Sequence, residues 1–150
     1  MLSFKKLGIL VCLCMTGGLC AQDDLGKQVY STVCIACHQP TGAGLPPVFP
    51  TLINTEYVNG SAERMAAIVL KGVMGPITVN GAAFNNIMPP QEAMLTDEKI
   101  AAVLSYVRGS FGNKAEPVKA EVVAEARKKF ASKTTMWSEV ELKAWPEEKK

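Results

Sequence analysis

The 150-residue chain has one histidine, His38, and no strong charge of either sign: sixteen basic residues stand against fourteen acidic ones, for a formal net charge of +2. So small a charge gives no support to a nucleic-acid or polyanion binder. Forty-eight per cent of the residues are hydrophobic and 20% charged, which fits one small globular domain with additions and neither a disordered nor a multidomain chain. The apolar run Leu7–Met15 is too short to span a bilayer comfortably.

That run has a different reading. Lys5 and Lys6 precede it, and small residues and Ala21 follow, the order of an export signal. Residues 1–21 are therefore expected to be a leader cleaved near Ala21, in preference to a retained anchor, and the mature protein is expected in the periplasm. A lipid on Cys20 is disfavoured, because Gly17-Gly18-Leu19 puts the bulky residue on the wrong side. Cleavage removes Cys12, Cys14 and Cys20 and leaves Cys34 and Cys37. One close pair is not a disulfide framework, which needs several pairs spread along the chain. Loss of Lys5 and Lys6 leaves fourteen basic against fourteen acidic residues, a formally neutral polypeptide.

The surviving thiols sit in Cys34-Ile35-Ala36-Cys37-His38. A structural zinc site needs four ligands, and no further Cys or His follows. A thioredoxin-type motif needs a helix after it, whereas QPTGAGLPPVFP is too rich in Pro and Gly. A plain disulfide leaves the adjacent histidine unexplained. C-x-x-C-H as a site of covalent haem c attachment uses every residue: two thiols form thioethers, and the next side chain offers its imidazole to iron.

A second iron ligand cannot be another histidine. Methionine, a lysine, the amino terminus or an open position remain, and Met/His ligation suits electron transfer. Met1 and Met15 lie in the leader, Met65 in a predicted helix where packing explains it, and Met136 in the tail. Met88 is the best candidate, because Pro89 and Pro90 stiffen the segment that carries it. Met94 reads as a packing residue before a helix, and Met74 is held in reserve.

Local signals predict a mostly α protein. Asp23 or Asp24 can cap a helix running to about Cys34. Gln39 to Gly60 is long for a structureless loop, which suggests wrapping around a haem face covered by Leu45, Val48, Phe49 and Leu52. Ser61 can cap AERMAAIVLKG, which stops at Gly72, and Asn80-Gly81 marks a short hairpin. Thr96 can cap DEKIAAVLSYVRG, with Ile100, Val103, Leu104 and Val107 on its apolar face. The core is about ninety residues, small enough that a bulky apolar cofactor matters to its stability.

From Asp24 to Gly112 the chain resembles class I cytochromes c, in GKQVYSTVCIACH, GAGLPPVFPTL, GPITVNGAAFNNIMPP and LTDEKIAAVLSYV. The resemblance implies three main helices around one haem c, held through Cys34 and Cys37, with His38 and Met88 as axial ligands. Pro50 matches the proline whose carbonyl accepts the proximal imidazole N–H. Gly26 and Tyr30 match the crossing of the first helix with the last, opposite Tyr106.

The expected organisation is a leader (1–21), a haem domain (22–113) and a charged helical extension (114–150). In the extension, Pro117 can open a helix with Val118, Val122, Ala126 and Phe130 on one face, and Ser138 can cap a second piece containing Val140 and Leu142. It either folds back on the haem domain or docks a partner through Met136, Trp137 and Trp145. Arg127-Lys128-Lys129 reads as a solvated face. The expected function is non-enzymatic periplasmic electron transfer between a donor dehydrogenase and an acceptor oxidase or cytochrome, with no nucleic-acid partner and no stable membrane span after cleavage. The alternatives are a haem subunit of an exported dehydrogenase or oxidase complex docked through the extension, and a five-coordinate haem sensor or enzyme.

Overall fold

A computed structural model describes residues 17–146, with side chains from residue 22 onward. Most of the expected leader, including Lys5, Lys6, Cys12 and Cys14, lies outside the described residues, as do the side chains of Cys20 and Ala21. Among the described residues no helix is long and apolar enough to cross a membrane.

Helix α1 spans Gly17–Val29 and runs on through a π-helical turn, Tyr30–Cys34, into the short α2, Ile35–His38. Asp23 and Asp24 thus lie inside the helix and do not cap it, and the helical path passes Cys34 to reach His38 itself. In the π turn the Ile35 amide donates to the Tyr30 carbonyl, one residue further back than in an α-helix. Gln39, with φ of 64°, stops the path.

The next two helices start where hydroxyl caps predict. Ser61 Oγ accepts from the Arg64 amide at the start of α3 (Ala62–Lys71), and Gly72 ends it with φ of 72°. Thr96 Oγ1 accepts from the Lys99 amide at the start of α4 (Asp97–Gly109). Between them β1 (Pro76–Val79) pairs antiparallel with β2 (Ala82–Asn85) around Asn80 and Gly81, both at positive φ, as a two-residue hairpin of this twist requires.

Helices α1 and α4 cross at Gly26, where a Cβ would overlap the Ala102 carbonyl and Tyr106 Cβ. Beside that crossing the Tyr30 ring packs 5.5 Å from Tyr106 and 5.3 Å from Phe111, and Tyr30 Oη donates to the Gln39 carbonyl at 2.7 Å. Ile100, Val103, Leu104 and Val107 of α4 join Met65, Ala66 and Leu70 of α3 in the main core.

The extension folds back on this core. Helix α5 spans Ala120–Lys129, so Pro117 precedes it in extended chain and does not open it. The buried stripe of this helix is Val123 and Ala126, and Val122 and Phe130 are only partly covered. Val118 is buried ahead of the helix, its amide donating to Ser105 Oγ at 2.9 Å. Burying Val118 and Val123 contributes about 1.5–3 kcal/mol each. Arg127 is no solvated residue: it pairs with Asp97 at 2.7 Å and donates to the carbonyls of Glu92 and Leu95. Ser138 and Glu141 form a capping box on α6 (Glu139–Lys143), in which Leu142 is buried and Val140 exposed.

Two buried polar side chains tie loops to α4. Arg108 donates to the carbonyls of Val58, Gly60 and Glu116. Asn113 donates to those of Leu52 and Val107, while its Oδ1 accepts from the Asn54 amide.

Candidate functional site

The fold encloses an apolar cavity of about 200 Å³. Cys34, Cys37, His38, Pro50 and Met88 all line it, so residues up to 54 positions apart in sequence meet around one space. The long loop supplies Val48, Phe49 and Leu52 to its wall, as expected, but Leu45 turns outward and is 52% exposed. The other walls come from α3, α4 and the hairpin, through residues such as Ile68, Leu104 and Phe84. Tyr57 also lines the cavity; nothing in its sequence context singled it out.

Both cysteines are free thiols, one at the end of the π turn and one inside α2. Burial, reinforced by Cys37, pushes the Cys34 thiol up to about 11, so it stays protonated at neutral pH. His38 is also held neutral, because burial pushes its pKa below the ordinary value against the opposing pull of Pro50. Its Nδ1 lies 3.1 Å from the Pro50 carbonyl oxygen. A carbonyl only accepts, so Nδ1 carries the proton, and Nε2 keeps a lone pair with no hydrogen-bond partner among the described residues. This is the tautomer an imidazole needs to bind a metal through Nε2.

The three methionines left open by the sequence separate on exposure. Met94 is 70% and Met74 54% exposed, and neither lines the cavity. Met88 is half-buried and does. It sits in extended chain paired with Val73: the Val73 amide donates to the Met88 carbonyl at 3.0 Å, and the Met88 amide to the Val73 carbonyl at 2.9 Å. Gly72 lies so close that a Cβ there would overlap the Met88 carbonyl. Two thiols, a neutral imidazole and a thioether around an apolar space are a donor set that fits a covalently tethered haem. Among the described residues no group of three or more His, Cys, Asp or Glu side chains could hold a bare metal ion.

Of the tail residues proposed to grip a partner, Trp137 is instead buried, with Nε1 donating to the Ala67 carbonyl at 2.9 Å. Its ring packs edge-on to Phe130 at 5.1 Å and to Trp145 at 5.4 Å. Met136 and Trp145 are partly buried.

Comparison with known proteins supplies a family. The family model for cytochrome c matches residues 24–110. One cytochrome c-552 of Thermus thermophilus is 33% identical over 132 residues, covering 84% of this chain and 88% of that protein. A second cytochrome c-552 from Thermus thermophilus is 34% identical over 116 residues, covering 73% of this chain and 87% of that protein. The cytochrome c subunit of alcohol dehydrogenase (quinone) from Gluconobacter oxydans is 30% identical over 126 residues, 83% of this chain but 26% of that longer subunit.

Proposed function

This chain belongs to the cytochrome c family, and on that premise we propose that it is an exported electron carrier with one haem, its iron held between His38 and Met88. As a member of the family it transfers electrons through haem c and is not itself an enzyme. The observation that carries the finer reading is the meeting of Cys34, Cys37, His38 and Met88 around one apolar cavity.

Bound there, haem c supplies a one-electron couple between ferrous and ferric iron. Cys34 and Cys37 would tether it as thioethers, and His38 would offer Nε2. Pro50 fixes the ring's rotation and raises its basicity by accepting from Nδ1. Met88 would fill the remaining axial position with sulfur, a ligand that raises the potential. Leu104, Phe84 and their neighbours exclude water, so little solvent has to reorganise when the charge changes. With His38 and Met88 both on the cavity wall, a five-coordinate sensor or enzyme is the poorer reading.

Residues 22–113 hold five basic and seven acidic residues, so this part offers no lysine-ringed docking face. Val48 and Ile87 line the cavity yet are 42% and 52% exposed, an apolar rim through which redox partners would approach. A donor dehydrogenase and an acceptor oxidase or cytochrome are the partner classes proposed. Relatives that are dehydrogenase cytochrome subunits favour a second reading, service to one dehydrogenase. The burial of Trp137 argues against docking through that side chain.

The test is a holoprotein matured with its export and haem-attachment machinery. Its mass should equal the leaderless polypeptide plus one haem, and its ferric spectrum should show the weak red-edge band of sulfur–iron ligation. Met88→Ala should lose that band and bind carbon monoxide strongly when ferrous. A wild-type protein without a Soret band, or a band that survives Met88→Ala, refutes the proposal.

A further inference from the structure

The Val73–Met88 pair lies in the same register as the hairpin, whose outermost pair is Pro76 with Asn85. It therefore closes the open end of the β1–β2 ladder. The other edge of Val73 is also taken. Trp137 lies parallel to it: the Trp137 amide donates to the Gly72 carbonyl at 2.9 Å, and the Met74 amide to the Trp137 carbonyl at 3.0 Å. Three short extended pieces thus lie side by side, Met88, Val73 and Trp137, with Val73 in the middle. A little further along, Glu139 Oε1 accepts from the Thr78 amide at 2.7 Å, so the tail also holds the outer edge of β1.

An isolated bridge of one residue pair is weak, and hairpin ends fray. Here the outer piece is fastened by a large side chain. Trp137 is 7% exposed, its indole nitrogen is bonded to α3, Phe130 and Trp145 pack on its ring, and Lys133 Nζ stands 4.3 Å from the ring centroid. On the far side of Met88 the chain is tied to the end of α3: the Gln91 and Glu92 amides donate to the Val69 and Leu70 carbonyls, and Lys71 pairs with Glu92 at 2.7 Å. The Met88 segment is thereby gripped on both sides, and one grip comes from the tail.

We infer that Trp137 is a positioning residue for Met88, locking Val73 and through it the Met88 backbone so that the thioether stays at the iron; this rests on Met88 being the sulfur ligand. Trp137 touches neither iron nor haem in this role. It lowers the fraction of time that Met88 spends detached, and so slows the entry of competing ligands.

The experiment uses full-length ferric holoprotein and the saturating rate of imidazole binding, which is limited by detachment of the methionine. Trp137→Ala should raise that rate about tenfold, the factor that 1.4 kcal/mol carries, and should speed amide exchange at Met88. Val123→Ala is the control, since Val123 is fully buried in the same extension but packs in the main core, apart from Val73 and Trp137, and forms no bond to residues 72–74. It should lower the melting midpoint while leaving the imidazole rate near that of wild type. Equal acceleration in both variants, or none in either, overturns the inference. If Trp137→Ala does not fold, Trp137→Phe keeps an aromatic ring among Phe130 and Trp145 while losing the indole bond and part of the ring volume. A severalfold acceleration there supports the inference, and an unchanged rate overturns it. Absence of the sulfur–iron band in wild-type protein would instead remove the Met88 assignment and this inference with it.

Discussion

Gly26 meets the backbone of Ala102 with no room for a side chain between them. Helices α1 and α4 cross on this contact, and the rings of Tyr30 and Tyr106 close beside it. Gly26→Ala should push the helices apart and destabilise the protein by about 1–3 kcal/mol, despite alanine's better helix propensity. Urea unfolding of the holoprotein checks this. A stabilised variant would mean that the crossing is not close.

Arg127 is fastened more by carbonyls than by its carboxylate. Its ion pair with Asp97 is partly exposed, a setting where such pairs contribute about 0–1 kcal/mol, while each carbonyl bond adds about 0.5–1.5 kcal/mol. Arg127→Ala should therefore cost more than Asp97→Ala. A double-mutant cycle should find a coupling of less than about 1 kcal/mol between them.

Acid should loosen the end of the extension. Lys133, then Ser138, hold the Glu141 carboxyl at about 2, below its ordinary 4.5. A carboxyl lowered on folding adds stability that is fully present above the ordinary value and is lost as pH falls toward the folded one. Between about pH 5 and pH 2 the melting midpoint of wild type should fall more steeply than that of Glu141→Gln. Parallel curves would show that the contacts of Glu141 contribute nothing. The carboxyl is exposed, so the difference should be small.

Electron exchange should respond weakly to salt. The rim residues Val48 and Ile87 are apolar, and the surrounding part of the chain carries no excess of basic residues. Second-order rates with a protein partner should change little between low and physiological ionic strength. A steep fall would point to charged docking.

Much of this was legible in the sequence, for local reasons. The caps at Ser61 and Thr96 and the turn at Asn80-Gly81 are decided by a few neighbouring residues, and each appears where its residues predict. The glycine at position 26 was explained in advance by a close helix crossing. Non-local features were not legible. A bridge one residue long, such as those joining Val73 to Met88 and to Trp137, leaves no alternation to detect. Trp137 read as a possible partner grip because a sequence shows an aromatic side chain but not what covers it. Arg127 read as solvated because it sits in a run of charges, and its acceptors come from a turn thirty or more residues away. Asp23 and Asp24 carry a cap's chemistry, yet α1 begins before them.

Arg108 gives the molecule a shared seam. One guanidinium holds the carbonyls of Val58 and Gly60 together with that of Glu116, where the extension departs. Either segment, in swinging away, takes acceptors from the same buried cation. Native-state deuterium labelling should therefore show the 55–60 loop and the start of the extension opening together, as one foldon rather than two.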